Sequence, residues 1–248
     1  MKWKILGLLL LGGAVVVTIS ALTQKNPSVA KEKSHKQRLL PIVDIPEKEL
    51  TDPHLLSQRK EKASRYDRQS SQPIQEGYMI SARVWSTHWF KDLTPLPFEH
   101  SDTVLIGGVI RSSAHLSNDK TGIYSEFDVQ VEEVLKDTLN SINVGDKVCL
   151  ERFGGAVRFP SGVIQKYETR GQGMPIVGER YVFFLKRKNE MDFAIVTGYQ
   201  LDGQVVLPLD GAIMEEGQGA YPFDVHHGSD VSDFLRILRT QVSKQSNR

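Results

Sequence analysis

The stretch GQGMPIVGERYVFFL, Gly171 to Leu185, decides how the chain is read. Gly173 and Gly178 stand at the spacing of the two glycines in G-x-x-x-x-G-K-[ST], the loop that cradles nucleotide phosphates. The rest of that pattern is missing. Glu179 and Arg180 follow the second glycine where Lys and Ser or Thr are required, and Pro175 removes a backbone N–H from the loop. A phosphate loop also runs into a helix N-terminus, whereas RYVFFL has the aromatic and β-branched content of a strand. The dinucleotide pattern G-x-G-x-x-G fails as well, because Ile176 stands where the third glycine belongs. The stretch reads as a turn feeding a core strand.

Working outward, the same grammar repeats. Upstream lie TVLIGGVIRSSAHL (Thr103 to Leu116) and IYSEFDVQVEEVL. In the second, Phe127, Val129 and Val131 alternate with Glu126, Asp128, Gln130 and Glu132, the pattern of a strand with one face in the core and one in water. KVCLERF, GAVRF, VIQKYET, RYVFFLKR, FAIVTGY and QVVLPL continue the series. INVGD, FGG, FPSG, KRKNEMD and LDG separate them with the residues that turns require. Many short strands at this spacing predict a mainly β fold, a closed antiparallel barrel or a small sandwich.

The ends differ from the middle. Lys2 and Lys4 precede an apolar run from Ile5 to Leu22, long enough to span a bilayer and longer than the usual core of a signal peptide. Residues 1–22 are therefore expected to be a signal anchor, or a signal peptide if cleaved. Either way the body is exported, although Lys25, Lys31, Lys33, Lys36 and Arg38 follow the run and pull against that orientation. Residues 23–76 are polar and read as a stalk with a short solvated helix, Asp52 its N-cap and Pro53 its first residue. Residues 77–211 hold the β domain. Within 212–248, Val231, Phe234, Leu235, Ile237, Leu238 and Val242 form an apolar stripe at helical period, capped by Ser232 or Asp230.

Composition excludes several classes of function. The 248 residues carry a formal net charge of +1, so nothing suggests a nucleic-acid partner, which calls for a basic face. One cysteine, Cys149, excludes an intrachain disulfide framework and any cysteine-rich zinc site.

The series VQVEEVLKD, NVGDKVCLER, FGG, MPIVGERYVFFL and a strand ending in TGY resembles a pattern in exported, largely uncharacterised bacterial β-barrel proteins. The likeness runs from about Val104 to Gly211. It rests on Val134, Leu135, Val144, Gly145, Gly178, Tyr181, Val182 and Phe184, which are turn and core positions. The resemblance implies a small OB-type barrel, similar to that of the tissue inhibitors of metalloproteinases. It implies no chemistry, since those inhibitors chelate zinc through an N-terminal cysteine that this chain lacks.

Candidate sites are few. Trp85, His88, Trp89 and Phe90 form an aromatic cluster suited to anchoring a protein or carbohydrate partner, or to plugging a barrel end. Arg152, Arg158, Lys166 and Arg170 are expected to line one rim, as a binding surface or as solubilising charge. Asp224, His226 and His227, with Asp230 and Asp233 nearby, offer imidazole and carboxylate for a metal ion. Adjacent histidines on an extended chain point apart, however, and no ordered H-E-x-x-H spacing is present. No nucleophile elbow or paired carboxylate stands out, because Glu132 and Glu133 fall on opposite strand faces. The expectation is a membrane-tethered, extracytoplasmic, non-catalytic binding or assembly module of the cell envelope, needing no cofactor. Its membrane partner would be met through residues 5–22. The alternative is a metal-dependent hydrolase built on the Asp224, His226 and His227 region.

Overall fold

Two long strands, β3 (Thr103–Leu116) and β4 (Ile123–Asp137), pair antiparallel along their whole length and organise the molecule. A computed structural model of the protein describes residues 40–48, 50–68, 72–77, 81–84, 92–211 and 222–246. Beyond β3 and β4 these include β1 (Ile42–Asp44), β2 (Ser81–Val84), β5 (Lys147–Phe153), β6 (Gly155–Arg158) and β7 (Ile164–Thr169). After them come β8 (Arg180–Arg187), β9 (Asp192–Asp202) and β10 (Val205–Pro208). The two α-helices among the described residues are α1 (Pro53–Ser64) and α2 (Val231–Ser246). The fold is mainly β, as expected.

The main sheet has six strands in the order β10-β9-β5-β4-β3-β8, and β9 also pairs with β8. The pairings therefore run β3-β4-β5-β9-β8 and back to β3, a partly ring-like arrangement. All are antiparallel except the short β5–β9 contact, in which Cys149, Leu150 and Glu151 face Asp192, Phe193 and Ala194.

The opening stretch now has a physical explanation. Tyr181, Phe183 and Leu185 of β8 point into one core cluster with Leu105, Phe127 and Leu150. Val182 and Phe184 point into a second cluster with Tyr199, Phe234 and Leu238. A strand buried on both faces reads as a continuous apolar run rather than an alternation. Gly178 has φ +85° in the turn before it, and its N–H donates to the Val109 carbonyl at 2.8 Å. At Gly173 the reason is space, because an added Cβ would collide with the Leu209 carbonyl. Those two glycines shape a turn before a strand.

The predicted C-terminal helix is α2. Asp230 caps it, accepting from the Ser232 and Asp233 N–H groups at 2.8 and 3.1 Å. Phe234 and Leu238, one turn apart, are buried in the second core cluster. Arg239 holds Glu133 of β4 with two bonds of 2.9 and 2.7 Å.

The N-terminal side departs from expectation. Residues 23–76 read as a polar stalk, yet from residue 40 onward the described part of that segment is built into the β unit. β1 pairs in parallel with β6, in a small four-stranded sheet ordered β1-β6-β7-β2. The segment is too short and polar to signal a strand by itself, and the neighbouring β6–β7 hairpin supplies its hydrogen bonds. α1 begins at the predicted cap, Asp52, which accepts from the His54 and Leu55 N–H groups. It is a surface helix, as expected, with Lys62 and Ala63 on the side set against the β unit. The apolar run Ile5–Leu22 lies outside the described residues, among which no helix is long and apolar enough to cross a membrane.

Candidate functional site

The outward residues of β4 and β5 make an unusual surface. In register, Glu126 faces Glu151 and Asp128 faces Cys149, while Cys149 also faces Asp192 of β9. Like charges directly opposed across two strands repel, so this face needs cations. Strand alternation placed Glu126 and Asp128 in water, but their side chains are only 13% and 12% exposed. Lys62 of α1 lies over Glu126, and Arg111 of β3 and Lys147 of β5 lie over Asp128.

The helix and its C-cap residue bring Arg59, Lys62 and Arg65, three residues apart and so on neighbouring turns of one side. Lys62 Nζ lies 2.9 Å from Asp192 Oδ1, 3.3 Å from Glu126 Oε1 and 3.6 Å from Cys149 Sγ. Arg65 donates to Glu151 Oε1 at 2.5 Å. Arg59 donates to Glu47 Oε1 at 3.1 Å and lies 2.6 Å from Nδ1 of His115, at the end of β3. The same Nδ1 lies 3.0 Å from Glu47 Oε1, between the guanidinium and the carboxylate, and Nε2 lies 3.0 Å from Ser113 Oγ. Beyond the helix, the Tyr66 ring stacks on Tyr124, 4.5 Å apart and nearly parallel. Arg68 N–H is held by Asp119 and Thr121 in the β3–β4 turn. Ala63 is the one residue of α1 that is fully buried. Charge, not apolar contact, seats this helix.

Burial and partners shape the protonation of the site. Burial disfavours the Lys62 ammonium, but the Glu126 and Asp192 carboxylates outweigh it and hold its pKa above the ordinary value. Burial pushes the Cys149 thiol up to about 12, with Glu126 adding to the effect. Glu151 is raised by burial even with Arg65 beside it. Glu47 moves the other way, since its bond to His115 and the Arg59 charge overcome burial and lower it. Glu151, 1% exposed, leaves Oε2 without a hydrogen-bond partner, and the buried Tyr124 hydroxyl has none either. Two clefts flank the helix. One of about 650 Å³ is lined by Glu47, Asp52, Leu55, Arg59 and His115, and one of about 410 Å³ by Glu61, Lys62, Asn189, Glu190 and Asp192.

The residues singled out in the sequence fall elsewhere. Trp85, Trp89 and Phe90 lie outside the described residues. Arg152 is not a rim residue, which corrects that expectation. It sits opposite in parity to Glu151 on β5, and its side chain is 2% exposed. There it bonds Asp210 at 2.6 and 3.0 Å and the Gly173 carbonyl at 2.6 Å. A buried guanidinium needs such acceptors, and Asp210, 58 positions away, gave no sign of supplying them. Arg158, half exposed on β6, pairs with Asp44 at 3.3 Å and does not join Arg152.

Asp224 and His226 lie on the 3-10 turn Pro222–His226, and the exposed His227 follows it. The His226 ring packs against Tyr199 and Phe234, at 5.7 and 5.1 Å, and burial lowers its pKa. Among the described residues no three His, Cys, Asp or Glu side chains form a metal-ligand group. No protein-family model matches the chain, and no curated protein matches it.

Proposed function

We propose that this protein is a membrane-tethered, extracytoplasmic, non-catalytic binding or assembly module of the cell envelope, built on a small OB-like barrel. The five-strand ring β3-β4-β5-β9-β8, with its long β3–β4 pair interrupted by register shifts, supports the OB-like reading. In barrels of that kind the outer face of the second and third strands takes the ligand. Here those strands are β4 and β5. The observation that carries the proposal is the organised charge on this face, where α1 and its C-cap set Lys62 against Glu126 and Asp192 and Arg65 against Glu151, while Arg111 of β3 pairs with Asp128. The apolar run Ile5–Leu22 supports the tether, and an exported module on a tether presents its surface at the membrane to an envelope protein or a carbohydrate.

The test has two parts. Cells producing the full chain are fractionated beside cells producing a chain that lacks residues 1–22, and protease is added from outside. The proposal expects the full chain in the membrane fraction with its body cleaved by the added protease. A full chain in the soluble fraction overturns the tether. A photo-cross-linking residue in place of Asn189, beside the smaller cleft, is expected to give a discrete envelope adduct. Absence of any adduct counts against the binding role.

A further inference from the structure

We propose that the outward face of β4, β5 and β9 is a docking surface for a basic helix of a partner protein, and that α1 occupies it as an exchangeable stand-in. This rests on the binding-module reading and names the partner it would take. Charge complementarity comes first. The face presents carboxylates from three strands, and the helix end answers with Lys62 on Glu126 and Asp192 and Arg65 on Glu151, while Arg59 pairs with Glu47 beside the face. An acidic face repels nucleic acid and anionic lipid alike, which leaves a cationic segment as its fitting occupant.

The hold of α1 is of the exchangeable kind. Ala63 alone is buried, while Leu55 and Leu56 are 49% and 36% exposed. Replacing one set of cations by another conserves the ion pairs and sacrifices little apolar burial. Nor does α1 satisfy the face. Arg65 donates to one Glu151 oxygen, and the other is buried and unpartnered, together with the Tyr124 hydroxyl. The clefts on either side of the helix give an incoming segment points of entry beside Glu47 and Asp192.

The mode of release is set by the anchors. Tyr66 stacked on Tyr124, and Asp67 and Arg68 bonded to the β3–β4 turn, keep the C-terminal end seated. The lifting part is Pro53–Lys62, which frees the places of Arg59 and Lys62.

The experiment uses a fluorescent peptide of residues 50–68 as the basic helix, added to the full-length chain and followed by anisotropy. Three proteins are compared: wild type, Arg59→Ala/Lys62→Ala, and the latter with Glu126→Gln/Asp192→Asn. In about 50 mM salt the vacated double variant is expected to bind at least about tenfold tighter than wild type, and about 1 M salt to remove most of that gain. Neutralising the carboxylates is expected to return binding to the wild-type level. A peptide carrying Lys62→Glu is expected not to bind. Equal binding to wild type and the vacated variant, binding that survives neutralisation, or no binding to a vacated variant with a native melting profile each overturns the proposal. Should the double variant unfold, Lys62→Met alone carries the same comparison. A failed peptide leaves the fractionation and cross-linking tests of the module untouched, so the two failures are distinguishable.

Discussion

Replacing Arg152 by methionine removes the guanidinium that pairs with Asp210. The Arg152 and Asp210 side chains are 2% and 0% exposed, so water cannot substitute. The variant loses both bonds to Asp210, the bond to the Gly173 carbonyl and the weaker contacts to the Ile195 and Val196 carbonyls. Breaking a buried pair by removing one partner costs about 3–5 kcal/mol, most of it from the charge left behind. A domain of ordinary stability has about 5–15 kcal/mol in all. With an m-value near 2 kcal/mol/M, the urea midpoint falls by about 2 M. The assay is equilibrium urea unfolding at neutral pH, followed by intrinsic fluorescence. A second arm, Arg152→Met/Asp210→Leu, removes both charges and is expected to recover part of the loss. Recovery stays incomplete because the Gly173 N–H, 2.8 Å from Asp210 Oδ1, loses its acceptor. A loss below about 1 kcal/mol in the single variant would refute the reasoning, since it is the size of a surface pair.

Three further outcomes follow from the same geometry. Lys62→Ala removes a cation that favours the Cys149 thiolate but also uncovers the half-buried thiol. Burial is the larger influence, pushing the thiol pKa up to about 12, so a thiol reagent at mildly alkaline pH is expected to label the variant faster than wild type. Gly173→Ala is expected to cost more than Gly178→Ala in a thermal melt. The first forces a Cβ into the Leu209 carbonyl, whereas the second meets open space and costs only about 1–2 kcal/mol of left-handed backbone strain. Acid is expected to lower the urea midpoint. Burial raises Asp137, but the Ser141, Ile142 and Leu139 N–H groups and Arg187 hold it below its ordinary value, and Glu47 is likewise lowered. A lowered folded pKa means that the unfolded chain binds the proton more tightly. That stability is full above the ordinary carboxylate range and is lost as the pH falls through the lowered values. Glu151, raised by burial, works in the opposite direction and softens the fall. Asp137→Asn is expected to flatten the profile between about pH 5 and 2, and an unchanged profile counts against the assignment.

The strands were legible because their burial is local and periodic. Phe127, Val129 and Val131 alternate with Glu126, Asp128 and Gln130 in the sequence as they do on β4. Asp52-Pro53 announced α1, and the Phe234, Leu235, Leu238 stripe announced α2, because caps and helical periods are short-range features. The docking of α1 was not legible. Its inward side is Arg59, Lys62 and Ala63, and a cationic stripe looks the same in sequence as a solvated face. Only the carboxylates of β4, β5 and β9, more than sixty positions downstream, give it meaning. Arg152 failed for a related reason, since polar burial depends on a distant partner rather than on neighbours. The parallel pairing of β1 with β6 and of β2 with β7 was hidden too, because strands of three and four residues carry no period.

The central claim is that charge, rather than apolar burial, holds α1 on the outward face of the ring. Hydrogen exchange of the full chain, read for residues 53–64 at about 50 mM and about 1 M salt, tests it most directly. The account predicts that α1 amides exchange at least about tenfold faster at high salt while those of β4 and β8 stay protected. Protection of α1 that is insensitive to salt, or lost only together with the strands, would contradict it.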